Sequence, residues 1–238
     1  MTVHDIAKTE RIEMYLKAVY TVSHAAPPVT VSKVADYMGV SPPSSYEMLK
    51  RLETQGLLHS GTEQGYRLTP QGLETATRVI RRLRLAERLL TDVLRLGLPD
   101  VYAEACKMEH VISPQVEARL ADVLGHPATC PHGLPIPASG PGVPQAQPAP
   151  ETLPTLDRIA VWGRATVASI PEEDQAIVAH LAEIGLTPGA IVQVREVGPL
   201  DGPITVLIQH QMRALGRDVA CRVRVRPEAQ ASGDTPHV

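Results

Sequence analysis

Apolar positions in the first quarter of the chain recur with the period of a helix. Ile12, Tyr15, Leu16, Val19 and Val22 fall at i, i+3, i+4 spacing and predict a helix over 11–23. Ala25-Ala26-Pro27-Pro28 ends it. Thr30 or Ser32 is placed to cap a short helix reaching Met38, and Gly39 stops that helix because it tolerates the left-handed conformation a sharp turn needs. Ser41 caps the next helix, Pro42 suits its first turn, and Tyr46, Met48, Leu49 and Leu52 carry it towards Gly56. Two short helices joined by a glycine turn make a helix-turn-helix. Segments 57–60 and 65–69 then read as two strands around a polar turn, the wing of a winged helix.

The pattern continues as one long helix over 74–96. Val79, Leu83, Ala86, Leu90 and Leu94 form its apolar stripe, and Ile80 flanks it. Glu87 falls inside that stripe, where a carboxylate is costly unless something pairs it. An arginine partner and a metal ion are both open. A second helix is predicted over 101–112, with Val101, Ala105, Met108 and Ile112 on its core face. Beyond 157 the pattern changes to short strands: 164–170, 191–197, 204–208 and 219–223, with one helix over 172–185. About 70 residues of short strands and one helix suit a small SH3-like barrel. The fold class is therefore mainly α with small β parts.

Proline divides these modules. Eight of the 22 prolines lie between Pro131 and Pro154, where Glu151 is the only acidic or basic residue. Proline lacks a backbone donor and fixes φ, so the run over 140–150 reads as an extended linker. The expected organisation is a winged-helix domain over 1–72, a helical domain over 73–132, a linker over 133–153, the barrel over 154–227 and a disordered tail over 228–238. The net charge of −3 hides an asymmetry: residues 1–90 carry 12 Lys and Arg against 9 Asp and Glu. A basic module in an acidic protein suits a polyanion.

Other classes drop out on composition. No run of about 18 uncharged apolar residues is present, so no membrane-spanning helix is expected. The N-terminus has no apolar signal segment, and three scattered cysteines, Cys106, Cys130 and Cys221, read as reduced thiols of a cytoplasmic protein. With no Phe and one Trp, the core must come from Leu, Val, Ile and Ala.

Two sets of residues carry candidate chemistry. Ser41, Pro43, Ser44, Tyr46, Glu47 and Lys50 lie early on the recognition helix, whose first residues face base edges in the major groove, and Arg67 on the wing is placed to meet phosphate. A three-helix packing unit with no DNA role is the plainer alternative. On the second middle helix, Cys106, Glu109 and His110 sit at i, i+3 and i+4, so one face presents a thiol, a carboxylate and an imidazole. These are ligand types for a divalent transition metal, although so short a pattern also arises by chance. Met14 points roughly 160° from the centre of its helix's apolar stripe, as a surface residue or a thioether ligand. His126, Cys130 and His132 resemble zinc ligands in composition, but the intervening prolines prevent a helical face and the spacing is not that of a zinc site; a structural turn is expected there. Cys221, in an apolar alternation, reads as a core thiol.

The runs Thr9-Glu10-Arg11-Ile12-Glu13-Met14-Tyr15-Leu16, Leu83-Arg84-Leu85-Ala86-Glu87-Arg88-Leu89-Leu90, Glu104-Ala105-Cys106-Lys107-Met108-Glu109-His110-Val111 and Cys130-Pro131-His132-Gly133-Leu134-Pro135-Ile136-Pro137 resemble the diphtheria toxin repressor family of metal-dependent transcription regulators. The C-terminal third is similar to that family's FeoA-like barrel. The resemblance implies a primary metal site at Met14, Cys106, Glu109 and His110. It also implies an ancillary site at Glu87, with Glu172 and Gln175 lent by the barrel. Leu83 and Tyr102 stand where the family usually has the two histidines of that site, so it is either lost or rebuilt from other groups.

The implied metal is Fe²⁺ or Mn²⁺, with Zn²⁺, Co²⁺, Ni²⁺ or Cd²⁺ as substitutes; Met and Cys donors resemble the iron-responsive branch. The implied function is a homodimeric repressor, paired through helices between 74 and 124, that binds a near-palindromic duplex operator and controls metal-homeostasis genes. One metal would join Met14 to the dimerisation domain and fix the angle of the two reading heads. The site needs a deprotonated Cys106 and neutral His110, so the response is expected to weaken in acid. Two other readings compete. One is a winged-helix regulator of a small organic ligand. The other is a metal-dependent hydrolase using Glu109 as base, which lacks an H-x-x-x-H or comparable open site.

Overall fold

The computed structural model describes residues 3–61, 65–138 and 152–228. The linker expected over 140–150 and most of the expected tail lie outside the described residues. Two compact units are present: residues up to 86 with 106–122 in one, and 87–105, 123–135 and the residues from 152 onward in the other.

In the first unit, α1 (Val3–Ala25) is longer than its apolar pattern predicts. It is followed by α2 (Val31–Met38) and α3 (Pro42–Thr54). Thr30 caps α2 by accepting the Lys33 amide, and Gly39 leaves the helix at φ 63°, donating its own amide back to the Ala35 and Asp36 carbonyls. Ser41 caps α3 through the Ser44 amide, with prolines filling the first turn. Strands β1 (Leu58–Gly61) and β2 (Gly65–Leu68) pair antiparallel as the wing. Tyr15, Leu16, Val19, Val34, Leu49, Leu52, Leu58 and Tyr66 make one aliphatic core that fixes the α3 axis against the hairpin.

Helix α4 (Pro70–Arg88) ends earlier than its apolar stripe predicts. Leu89–Val93 widens into a π-helical turn, with the Thr91 hydroxyl donating to the Glu87 carbonyl, and Leu94 emerges exposed rather than in the core. Helix α5 (Leu98–Met108) likewise stops short of Ile112, and α6 (Pro114–Val123) follows.

The C-terminal part is a five-stranded antiparallel sheet in the order β6-β5-β4-β3-β7. Its strands are β3 (Arg164–Ser169), β4 (Ile191–Val197), β5 (Ile204–Ile208), β6 (Gln211–Leu215) and β7 (Arg224–Pro227), with α7 (Gln175–Glu183) and the short α8 (Arg217–Ala220) between them. Bulges at Val167/Ser169 and Val194/Glu196 bend β3 and β4. The inward residues of β5, Ile204, Val206 and Ile208, meet Leu156, Val167, Leu181, Val192 and Val225 in the core. The strand predicted over 219–223 is instead α8 and a turn, which leaves Cys221 exposed and not in the core. No helix among the described residues is long and apolar enough to cross a membrane.

One polar contact ties the recognition helix to the wing. Glu53, near the end of α3, accepts the Ser60 amide at 3.1 Å and the Ser60 hydroxyl on one oxygen, and the Lys50 ammonium at 2.8 Å on the other. Lys50 first, and then Ser60, holds the carboxyl down at about 2 against its ordinary 4.5. A depressed acid contributes fully above its ordinary value and loses that contribution only as pH falls towards the lowered one. The Ser60 amide resonance is therefore expected to stay constant between pH 6 and 4, and to move in Glu53→Gln; an ordinary glutamate titration at Ser60 in the wild type would contradict this.

Candidate metal centres and DNA-facing surface

A first polar cluster forms where α1 meets the end of α5. Helix α5 stops at Met108, so Cys106 is helical while Glu109 and His110 occupy the turn that follows, closed by the Val111 amide donating to the Met108 carbonyl at 3.0 Å. The single helical face expected for the three residues is thus corrected: the turn brings Glu109 and His110 together, while Cys106, on the helix, is linked to Glu109 through the Lys17 ammonium. Glu109 is 1 % exposed. Its Oε1 accepts the Lys17 ammonium at 2.6 Å and lies 3.2 Å from His110 Nε2, while Oε2 is buried with no hydrogen-bond partner.

On its other side, His110 Nδ1 lies 2.7 Å from Glu13 Oε2. Burial pulls the imidazole pKa down, but the Glu109 and Glu13 carboxylates outweigh it and raise it to about 9. Lys17 Nζ also lies 3.8 Å from Cys106 Sγ. Met14 follows Glu13 on α1, with 38 % of its surface exposed. Sequence reasoning missed Glu13 and Lys17. The available signal was a lysine inside the run 15–19, every residue of which is buried.

A second cluster gathers Glu87, Cys130, His132 and Glu172, each offering one ligand atom within 4.8 Å of the others. Glu87 and His132 are fully buried. His132 Nδ1 lies 3.2 Å from Glu87 Oε1, and Cys130 Sγ 3.9 Å from Glu172 Oε2. Both Glu87 oxygens and both His132 nitrogens lack a hydrogen bond. Apart from the His132–Glu87 ion-pair contact, these facing polar atoms are poorly satisfied for the interior of a native fold, and a bound ion is one of the few things that would satisfy them together. Burial raises the Glu87 pKa; Glu172 pushes it the same way and His132 opposes both. Two carboxylates, an imidazole and a thiol suit a divalent transition metal.

The turn at 130–134 makes this cluster possible. The Cys130 amide donates to the Leu134 carbonyl at 2.8 Å and the Gly133 amide to the Cys130 carbonyl at 2.9 Å. Arg88 anchors the turn, its Nε donating to the Thr129 carbonyl at 2.6 Å. Gly133 sits at φ 83°, where a Cβ would stand 2.0 Å from the Ala168 carbonyl oxygen. The turn expected here to be structural does more than turn the chain: without a shared helical face it places Cys130 and His132 beside Glu87 as candidate metal donors, while His126 stays exposed outside the group. Gln175 does not join; its Nε2 donates to Asp100 Oδ1 at 3.1 Å. Leu83 is buried.

On α3, Ser41, Pro43, Ser44, Tyr46, Glu47 and Lys50 are exposed on one side while Ser45, Met48, Leu49 and Leu52 are buried on the other. The Lys50 ammonium lies 6.0 Å from the centre of the Tyr46 ring. Arg67 is exposed on β2.

Residues 8–66 match the family model for the iron dependent repressor N-terminal DNA binding domain, and 69–138 that for the iron dependent repressor metal binding and dimerisation domain. Residues 155–227 match the FeoA domain. The chain is 34 % identical over 221 residues to the iron-dependent repressor IdeR of Mycobacterium leprae, covering 90 % of this chain and 95 % of that one. It is 38 % identical over 128 residues to the diphtheria toxin repressor of Corynebacterium glutamicum, covering 54 % of this chain and 56 % of the relative.

Among solved structures, a manganese-dependent transcriptional repressor in complex with manganese superposes with a TM-score of 0.82 at 29 % identity, over 91 % of this chain and all of that one. ScaR with bound Zn²⁺ superposes with a TM-score of 0.76 at 27 % identity, over 90 % and 98 %. Identity of 34 % sustained across 90 % of the sequence places this chain in the family of iron-dependent repressors to which the diphtheria toxin repressor belongs.

Proposed function

We propose that the protein is a cytoplasmic, homodimeric, metal-dependent repressor of metal-homeostasis genes that acts by binding a near-palindromic DNA operator and not by turnover. The domains are taken as 1–72 for DNA binding, 73–132 for metal binding and dimerisation, 133–153 as linker and 154–227 as the FeoA-type domain. The observation that carries the reading is the first cluster. There the opening helix of the DNA-binding module and the Cys106–His110 turn of the dimerisation module meet through buried, charged side chains.

Met14, Cys106, Glu109 and His110 would hold the regulatory metal, and Glu87, Cys130, His132 and Glu172 a second one. Bound there, the ion supplies a rigid link between α1 and the end of α5. The chain does the rest. The α1 core residues Leu16 and Val19 pack in the same core as Leu49 and Leu52 of α3, so fixing α1 fixes the recognition helix. In a two-fold dimer that sets the spacing of the two reading heads on DNA. The metal is Fe²⁺ or Mn²⁺; sulfur donors at Met14 and Cys106 favour Fe²⁺ over Mn²⁺, and metal supply in the cell also selects.

Gel-shift titration under anaerobic conditions, using operator DNA from the gene's own upstream region, tests the reading. Addition of Fe²⁺ or Mn²⁺ should tighten binding and a chelator should abolish it; Cys106→Ala and His110→Ala should each remove the metal response. Operator binding that is indifferent to chelator, or fully metal-responsive in both variants, would sink it.

Metal content separates the two clusters. The wild type is expected to bind two equivalents per chain, and Cys130→Ala or His132→Ala one. Gly133→Ala should match them, because the added methyl group cannot coexist with the Ala168 carbonyl. Elemental analysis after dialysis reads the count, and two retained equivalents in these variants would contradict the assignment.

On the DNA side, Arg67→Ala should weaken binding about equally for operator and unrelated duplex, and lower the slope of log affinity against log salt by about one. Loss confined to the operator would instead mean that Arg67 reads bases.

A further inference from the structure

Lys17 stands where the first cluster would receive a cation. It is 5 % exposed, and its ammonium donates to Glu109 Oε1 at 2.6 Å with Cys106 Sγ 3.8 Å away. These are two of the four side chains assigned above to the regulatory metal. A carboxylate as deeply buried as Glu109 needs a positive charge, and so does a buried ammonium need a negative one. In this pair each satisfies the other. A divalent ion bound to Cys106 and Glu109 would stand beside a fixed positive charge sharing the same oxygen, which is repulsive. The two cations therefore exclude each other.

The chain also offers the ammonium somewhere to go. Glu13 precedes Lys17 by one helical turn on α1, and a glutamate four residues before a lysine is the favourable order for a pair on a helix. Its carboxylate now holds His110 Nδ1 at 2.7 Å. A lysine has a flexible four-carbon stem, so its head group can swing back towards Glu13 without moving the helix.

We propose that Lys17 is a resident cation that competes with the metal for Glu109 and Cys106, and so sets the metal concentration at which the protein responds. The inference rests on the metal-dependent reading of this cluster. It assigns Lys17 a part in setting affinity, not in coordination.

The test is a Co²⁺ titration of the full-length chain carrying Cys130→Ala and Cys221→Ser, so that thiolate-to-cobalt charge-transfer absorption reports the Cys106–cobalt bond alone. Adding Lys17→Met, which keeps length and removes charge, should lower the half-saturating Co²⁺ concentration by about tenfold or more, since it removes one partner of a buried ion pair. Lys17→Arg, which keeps the charge, should leave it within about threefold of the parent. An unchanged or weakened affinity in Lys17→Met would overturn the inference and make Lys17 a supporting partner of Glu109.

If Lys17→Met does not fold, the wild type decides. Reductive methylation of Lys17, read by mass spectrometry, should be slow without metal and accelerate when Mn²⁺ saturates the site, and equal protection in both states would overturn the proposal. A Cys106-dependent band with equal midpoints defeats only this inference; no such band in any of the proteins defeats the metal reading of the cluster as well.

Discussion

A carboxylate taken out of water must be met by positive charge, and this protein buries one in each of its two candidate metal clusters. Glu109, in the turn after α5, and Glu87, on α4, are both essentially inaccessible and lie in different compact units. Their solutions differ. Glu109 is held by Lys17 and His110, so the chain itself supplies the cation. Glu87 faces His132, Cys130 and Glu172, and its oxygens end without a hydrogen bond. The first carboxylate thus meets the chain's own ammonium, while the second stands among an imidazole, a thiol and another carboxylate. The apolar packing around each fixes the geometry but cannot offset an unpaired charge, which costs more than any single aliphatic contact contributes.

How much of this was readable from the sequence depends on how local the cause is. The helix-turn-helix was legible because its punctuation is local: a threonine cap, a glycine at φ 63°, a serine cap followed by prolines. Strands β4 and β5 were legible because alternating aliphatic residues have only one way to face a core. Strand β6 was not, since Gln211, Met212, Arg213 and Ala214 are all exposed at the sheet edge and leave no alternation to see. The ends of α4 and α5 were misplaced for the opposite reason. Their apolar pattern continues past the point where the π-helical turn and the 109–111 turn redirect the chain.

The clusters follow the same logic. Cys106, Glu109 and His110 are close in sequence and could be grouped by spacing alone. Glu13 and Lys17 join them from more than eighty positions away, which no helical period reveals. Cys130 and His132 were set aside because prolines separate them from any helix, yet a tight turn built on Gly133 serves as well as a helix for aiming two side chains. Their presence beside Glu87 also gives a physical sense to the departures at Leu83 and Tyr102. Where the resemblance implies two histidines that this sequence lacks, a thiol and an imidazole from the turn stand next to the carboxylate of Glu87.

The sequence order within the second cluster has a mechanical meaning. Glu87, Cys130 and His132 come before the proline-rich stretch and Glu172 after it, so the four donors close a loop running from 87 to 172. An ion held by all four would tie the ends of a long loop and remove much of the freedom of the unfolded chain, as a disulfide does, but through a bond that dissolves when the ion is withdrawn. Under the proposed assignment, the hold on the last third of the molecule would then tighten and slacken with the supply of the ion itself.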